Sequence, residues 1–392
     1  MKFLNLVVLL FTSSILTAQI QTYFVAPIDT DNNYGASQGD HTIIINTSSS
    51  INKLFLFIGG TNTSSNSNYY STLREFAADL GYDVIKLSYV DSIAAATFTN
   101  SNDSLVFNKY REEINFGSPV SPDITVDTLN SIYTRFLKLL QYLDVNYPTQ
   151  NWGQYLLSPT SIDWSKIAIG GHSQGAGHAS YLAKHFIMDR VLMFSGPNDY
   201  STTFSNSANW LRQPGVTPTT KHFVYLSLND EIVDFSKQFI NISGLGMLLN
   251  DDTTLVDNLA SPYGFSQALY TVQTPGLIIL NHNVPPIKNT SINHNVWTYM
   301  LTTPIITSIK NPNEIVNSYL YPNPSNNLII ISNKTILSTN LFKIINMNGQ
   351  TVLSGRLIST EINSKNSIDI SSLLEGFYFL IIDHQAIKFV KN

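Results

Sequence analysis

One serine flanked by glycines is where this sequence most directly offers chemistry. Gly171-His172-Ser173-Gln174-Gly175 follows the apolar run Ile167–Ile169 and leads into the helical stretch Gly177–Phe186. A G-x-S-x-G segment between a buried strand and a helix makes a sharp turn that presents the hydroxyl at the carboxyl edge of a sheet. Glycine is needed two residues before and two after the serine, because strand and helix approach too closely there for side chains. The serine also stands at a helix N-terminus, where unpaired amides favour developing negative charge. In that setting Ser173 is the candidate nucleophile of an acyl-transfer site. Outside it, the same residues make an ordinary tight turn.

Such a nucleophile requires a base and two amides that converge on an oxyanion. One amide is that of Gln174, directly after the serine. The other should follow the early apolar run Leu54–Ile58, where Gly60 or Thr61 would donate. The polar stretch Asn62–Ser71 should wall the cleft, with Tyr69 and Tyr70 as lining candidates. For the base there are eight histidines to choose from. His172 is inside the turn, His178 and His185 lie on the helix behind it, and His222 begins a strand. His41 precedes the core strands and His384 is close to the C-terminus. His282 and His294 remain. The first follows an apolar run, and the second stands at the mouth of the last helix.

The elements that must hold these groups read as strands and helices in alternation. From about residue 21 to 304, short apolar runs (LFLFI, DVIKL, KIAIGG, RVLMFSG, HFVYLSL) alternate with amphipathic stretches, among them Ser71–Gly81 with Ser71 as a plausible cap. A long helix is expected around Leu129–Leu143, where apolar residues recur at threes and fours. Strand, helix, strand repeated in this way predicts a mostly parallel sheet flanked by helices, an α/β class. After about residue 304 the texture changes to short β-rich runs separated by turn residues, including Asn348-Gly349, and predicts a small antiparallel β-sandwich.

Composition sets outer limits. Hydrophobic residues make up 43% of the 392-residue chain, enough for a sizeable core. A formal net charge of −5 argues against a basic nucleic-acid-binding face. No cysteine is present, which removes disulfides, thiolate metal sites and a cysteine nucleophile. No P-loop, dinucleotide fingerprint or H-E-x-x-H motif occurs, so no metal or organic cofactor is expected. Lys2, the apolar run Phe3–Phe11 and the small residue Ala18 read as a secretory leader, too short to span a bilayer comfortably. The expected division is a leader at 1–18, an α/β domain at 19–304, a linker at 305–317 and a tail domain at 318–392.

GGHSQGAGHASYLAK followed by RVLMFSGPND resembles the α/β-hydrolase superfamily, over approximately residues 40–304. That resemblance implies the order nucleophile, acid, histidine along the chain. It points to Asp230, directly after the late strand HFVYLSL, as the acid, with Asp199 in SGPNDY as the alternative. It leans toward His282 over His294. It implies a serine hydrolase, most plausibly an esterase acting on a small or polymeric ester; a peptidase, a lipase or a surface-binding protein that has lost turnover are the alternatives. The tail resembles the C-terminal sorting domain of the bacterial type IX secretion system, through YPNPSNN (Tyr321–Asn327), INMNGQTVLSG (Ile345–Gly355), IDISSLLEGFYFLII (Ile368–Ile382) and the terminal IKFVKN. That likeness implies export across an outer membrane, the export machinery as partner, and a secreted or cell-surface location without stable membrane insertion. Specificity is expected to reside in the segments Val90–Val126 and Asn241–Thr274.

Overall fold

The computed structural model describes residues 20–34, 39–66, 68–247, 253–276, 280–304, 318–333, 341–346, 350–361, 364–382 and 385–392. The expected leader, the linker 305–317, the Asn348-Gly349 turn and His384 lie outside the described residues. The chain divides into two compact units: Met1–Leu249 with Thr271–Leu301, and Asn250–Tyr270 with Thr302–Asn392.

Seven strands of the first unit are β1 (Ile20–Val25), β2 (His41–Asn46), β3 (Leu54–Ile58), β4 (Asp83–Leu87), β5 (Ile167–His172), β6 (Arg190–Phe194) and β7 (His222–Ser227), and they lie in the order β1-β2-β4-β3-β5-β6-β7. From β4 to β7 the pairing is parallel, and only β1 and β2 run against their neighbours. Every residue of β3, β5, β6 and β7 is buried. Parallel strands covered on both faces are apolar along most of their length, which is why these segments read as near-continuous runs instead of alternating ones.

The helices are α1 (Ser71–Asp79), α2 (Val106–Phe116), α3 (Ile132–Asn146), α4 (Gln174–His185), α5 (Phe235–Gly244) and α6 (Ser291–Thr302). Helix α3 begins later than the periodicity suggested, because the Ser131 side chain caps it by accepting from Thr134 N. Ser71 is the first helical residue of α1 and not its cap. The region Val90–Val126 is not an open specificity loop: α2 lies within it and buries Phe107, Tyr110, Arg111 and Ile114.

The strand order has one consequence for function. After β3 the chain adds β4 on one side and then places β5 on the other. The carboxyl ends of β3 and β5 thus flank a crevice at the point where the winding reverses, the natural place for a ligand in an open α/β sheet. Gly59-Gly60-Thr61 leaves one of these ends and Ser173 the other.

In the second unit, Thr254 and Leu255 pair in parallel with Leu269 and Tyr270. The tail forms β8 (Ser318–Tyr321), β9 (Leu328–Asn333), β10 (Leu341–Asn346), β11 (Thr351–Arg356), β12 (Lys365–Asp369), β13 (Gly376–Ile382) and β14 (Gln385–Lys391). They make a three-stranded sheet, β8-β9-β12, and a four-stranded sheet, β11-β10-β13-β14. All strand pairs within both sheets are antiparallel. Ile329, Ile331 and Ile368 from the first sheet share one core with Ile344, Leu380, Ile382 and Phe389 from the second. A sandwich is the result.

Burial makes the first unit sensitive to acid. His41 is pushed down to about 3 and His222 to about 4, chiefly because burial disfavours the charged ring. His172 and His178 are likewise held well below the ordinary histidine value by burial. In the unfolded chain these imidazoles take up protons near pH 6.5, while the folded ones stay neutral, so acidification through this window favours unfolding. By pH 5 each buried ring should cost up to about 2 kcal/mol of stability. Urea titrations at pH 7 and pH 5 should show the midpoint fall; equal midpoints would contradict it.

Candidate active site

Ser173 sits between β5 and α4 with φ 56° and ψ −119°, a left-handed conformation costly for any residue with a side chain. The flanking glycines are sterically required. A Cβ on Gly171 would lie 2.1 Å from Gly175 O, and one on Gly175 would lie 2.2 Å from Ile58 O. Gly175→Ala should therefore force β3 and α4 apart at a cost of about 3 kcal/mol, read as a lowered thermal midpoint.

Asp230 and His282 meet across the site. The Nδ1 atom of His282 lies 2.6 Å from Asp230 Oδ2, with both side chains almost wholly buried. Asp230 is oriented by the amides of Ile232 and Val233, each 2.9 Å from Oδ1, and Gln238 Nε2 donates to its Oδ2 at 3.0 Å. The histidine backbone is also anchored. His282 O accepts from Ser195 Oγ at 2.7 Å, and Glu231 accepts from His282 N at 3.2 Å. The ring lies 4.8 Å, centroid to centroid, from that of His172, the residue preceding the serine. Among the described residues no hydrogen bond joins Ser173 Oγ to His282; the hydroxyl oxygen accepts from Asn198 Nδ2 at 3.4 Å.

The other candidates are placed elsewhere. His294 is wedged between Phe76 and Trp297, with ring centroids 4.7 Å and 5.3 Å away. Its Nε2 is buried and has no hydrogen-bond partner among the described residues. Asp199 is fully buried but is held by Arg111, at 2.8 Å from Nε and 2.5 Å from Nη2, and by Trp210 Nε1 at 2.8 Å. It serves as the counter-ion of Arg111, whose Nη1 donates to Gln174 O at 2.7 Å. The residue thus braces the turn from behind, and among the described residues its carboxylate makes no hydrogen bond to a histidine.

On the oxyanion side, Gln174 is the first residue of α4, so its amide has no partner within the helix. Gly60 drops out as the second donor: its N–H is spent on Tyr70 Oη at 3.0 Å. Thr61 remains, and its hydroxyl donates to Gln174 Oε1 at 3.0 Å, which ties the two amide-bearing loops together. Tyr70 does not line the cleft. It is fully buried, and its Oη lies 2.9 Å from His172 Nδ1. The loop after β3 is further held by Asp91, which accepts from Thr63 N and Ser64 N, and by Lys86 Nζ, which donates to the Thr63, Ser64 and Asn66 carbonyls. Burial lowers Lys86 to about 8.

Arg111, Asn198 and Gln238 are the residues around the site that sequence reasoning passed over. Arg111 alone had a legible signal: it occupies an apolar-face position of α2, four residues after Phe107 and three before Ile114. Arginine there implies a buried acid. Among the described residues no cluster of histidines and carboxylates could hold a metal ion, and no helix is long and apolar enough to cross a membrane.

Residues 319–392 match the family model of the secretion system C-terminal sorting domain. No curated protein matches the chain. Among solved structures, the esterase domain of a Rhodothermus marinus protein is 14% identical over 58% of this chain and 83% of its own, with a TM-score of 0.32. A dienelactone hydrolase from Anabaena variabilis is 13% identical over 65% of this chain and 86% of its own, also with a TM-score of 0.32. Likeness this slight carries no weight for fold or activity.

Proposed function

We propose that the chain is an exported serine hydrolase of the α/β-hydrolase superfamily, cleaving carboxylic esters through Ser173, His282 and Asp230. What carries it is the conjunction of a strained Ser173 at the strand–helix turn with a buried His282–Asp230 pair. His282 Nε2 takes the proton of Ser173 as Oγ bonds to the ester carbon. The carbonyl electrons move to its oxygen, which the Gln174 and Thr61 amides stabilise. Collapse breaks the bond to the alkoxy oxygen, which leaves as an alcohol with the proton from His282. Water then repeats the sequence on the acyl-enzyme and releases the acid. Asp230 orients the ring and stabilises the imidazolium. Export is supported by the sorting domain, with the apolar leader at 1–18 serving the inner membrane and the type IX machinery the outer one.

A fluorophosphonate probe tests this directly. Covalent labelling of the full chain that Ser173→Ala abolishes, with turnover of p-nitrophenyl esters, is the expected result. Folded protein that takes no label would overturn it, and turnover of peptide substrates alone would move the activity to a peptidase.

A further inference from the structure

We propose that Asn198 is an additional catalytic residue, donating to the nucleophile oxygen, and that Gln238 positions it against the acid. This rests on Ser173 being the nucleophile. Asn198 Nδ2 lies 3.4 Å from Ser173 Oγ and 3.0 Å from Ser195 O, and its Oδ1 accepts from Gln238 Nε2 at 3.3 Å. The same Gln238 nitrogen donates to Asp230 Oδ2 at 3.0 Å. The orientation of both amides is forced by their partners. A carbonyl faces Asn198 Nδ2, and a carboxylate faces Gln238 Nε2, so each must present nitrogen there. Nucleophile and acid are thus joined by a chain of hydrogen bonds, Ser173–Asn198–Gln238–Asp230, that bypasses the histidine.

Packing alone does not account for Gln238. It is wholly buried, and among the described residues its Oε1 has no hydrogen-bond partner. An unpaired buried acceptor is costly, so an apolar side chain would fill the space better. What glutamine adds is two N–H groups, one for Asn198 and one for Asp230.

The chemical value of Asn198 follows from where charge develops. A donor to Ser173 Oγ leaves the hydroxyl proton available to His282. As Oγ loses that proton and bonds to the ester carbon, the Asn198 N–H bond to it strengthens. When the acyl-enzyme breaks down, Oγ departs with the bonding pair and regains a proton from His282, and the same N–H stabilises it again. Gln238 meanwhile shares Asp230 Oδ2 with His282 Nδ1, which tempers the carboxylate's pull on the imidazolium.

The test uses the purified full chain and the second-order rate of fluorophosphonate labelling across pH. Asn198→Ala should react about 10- to 100-fold more slowly while remaining folded, with a thermal midpoint lowered by the two buried partners it leaves unpaired. Asn198→Asp, which keeps the shape but presents a carboxylate, should be slower still. Gln238→Ala should move the acid limb of the rate profile upward, since Asp230 Oδ2 loses a donor that competes with His282 Nδ1. A purely structural role would not shift that limb. Folded variants that label at the wild-type rate with an unmoved limb would overturn this inference and leave Ser173 as nucleophile intact. Wild-type protein that fails to label would instead remove the proposed function itself.

Discussion

His282→Ala is expected to slow phosphonylation of Ser173, and turnover of any ester found, by about a million-fold, because nucleophile and base act as a unit. His294→Ala should leave both rates within about 2-fold of wild type, since a side chain outside the reacting set contributes little to the barrier. The contrast follows from geometry. His282 bears a buried carboxylate 2.6 Å from Nδ1, whereas His294 is held between Phe76 and Trp297. Asp230→Asn should lower turnover about 10,000-fold without unfolding the protein, because the amide cannot hold the ring in the proton-accepting tautomer. Steady-state kinetics on the same ester measure all three. A large loss in His294→Ala with little in His282→Ala would reverse the assignment.

The second large effect concerns stability. Arg111 and Asp199 are both fully buried and paired through two contacts. Removing either partner leaves the other charge buried and uncompensated, which costs about 3–5 kcal/mol. Arg111→Met and Asp199→Asn should each lower the unfolding free energy by that amount, read as a fall in the urea midpoint, and the double variant should recover part of the loss. Arg111→Met should also slow labelling, since Gln174 O loses its donor at the turn that carries the proposed oxyanion amide. Simple additivity of the two losses would show that the pair is not coupled. Space is reserved for this guanidinium: a Cβ on Gly177 would lie 2.0 Å from Arg111 Nη2.

The residues responsible for these effects were unequally legible. The turn at Ser173 was visible because backbone sterics write themselves into a local pattern of glycines, a strand and a helix. The alternating apolar runs announced a parallel sheet for a similar reason, since burial on both faces demands continuity. The tail declared its antiparallel strands through closely spaced turn residues. By contrast, the choice of Asp230 over Asp199 and of His282 over His294 depended on pairs far apart in the chain, and each candidate had a reasonable local setting. Gly60 and Thr61 were equivalent in sequence until the Tyr70 hydroxyl claimed the Gly60 amide.

The sequence by itself determined the exported α/β character, the elbow around Ser173 and the short set of histidines and acids that could serve it. Tertiary structure alone decided which of them meet. A hydrogen bond or ion pair requires two groups within about 3 Å, and for residues separated by 52 positions, as Asp230 and His282 are, that distance is set by how strands order in a sheet and not by any local run of residues.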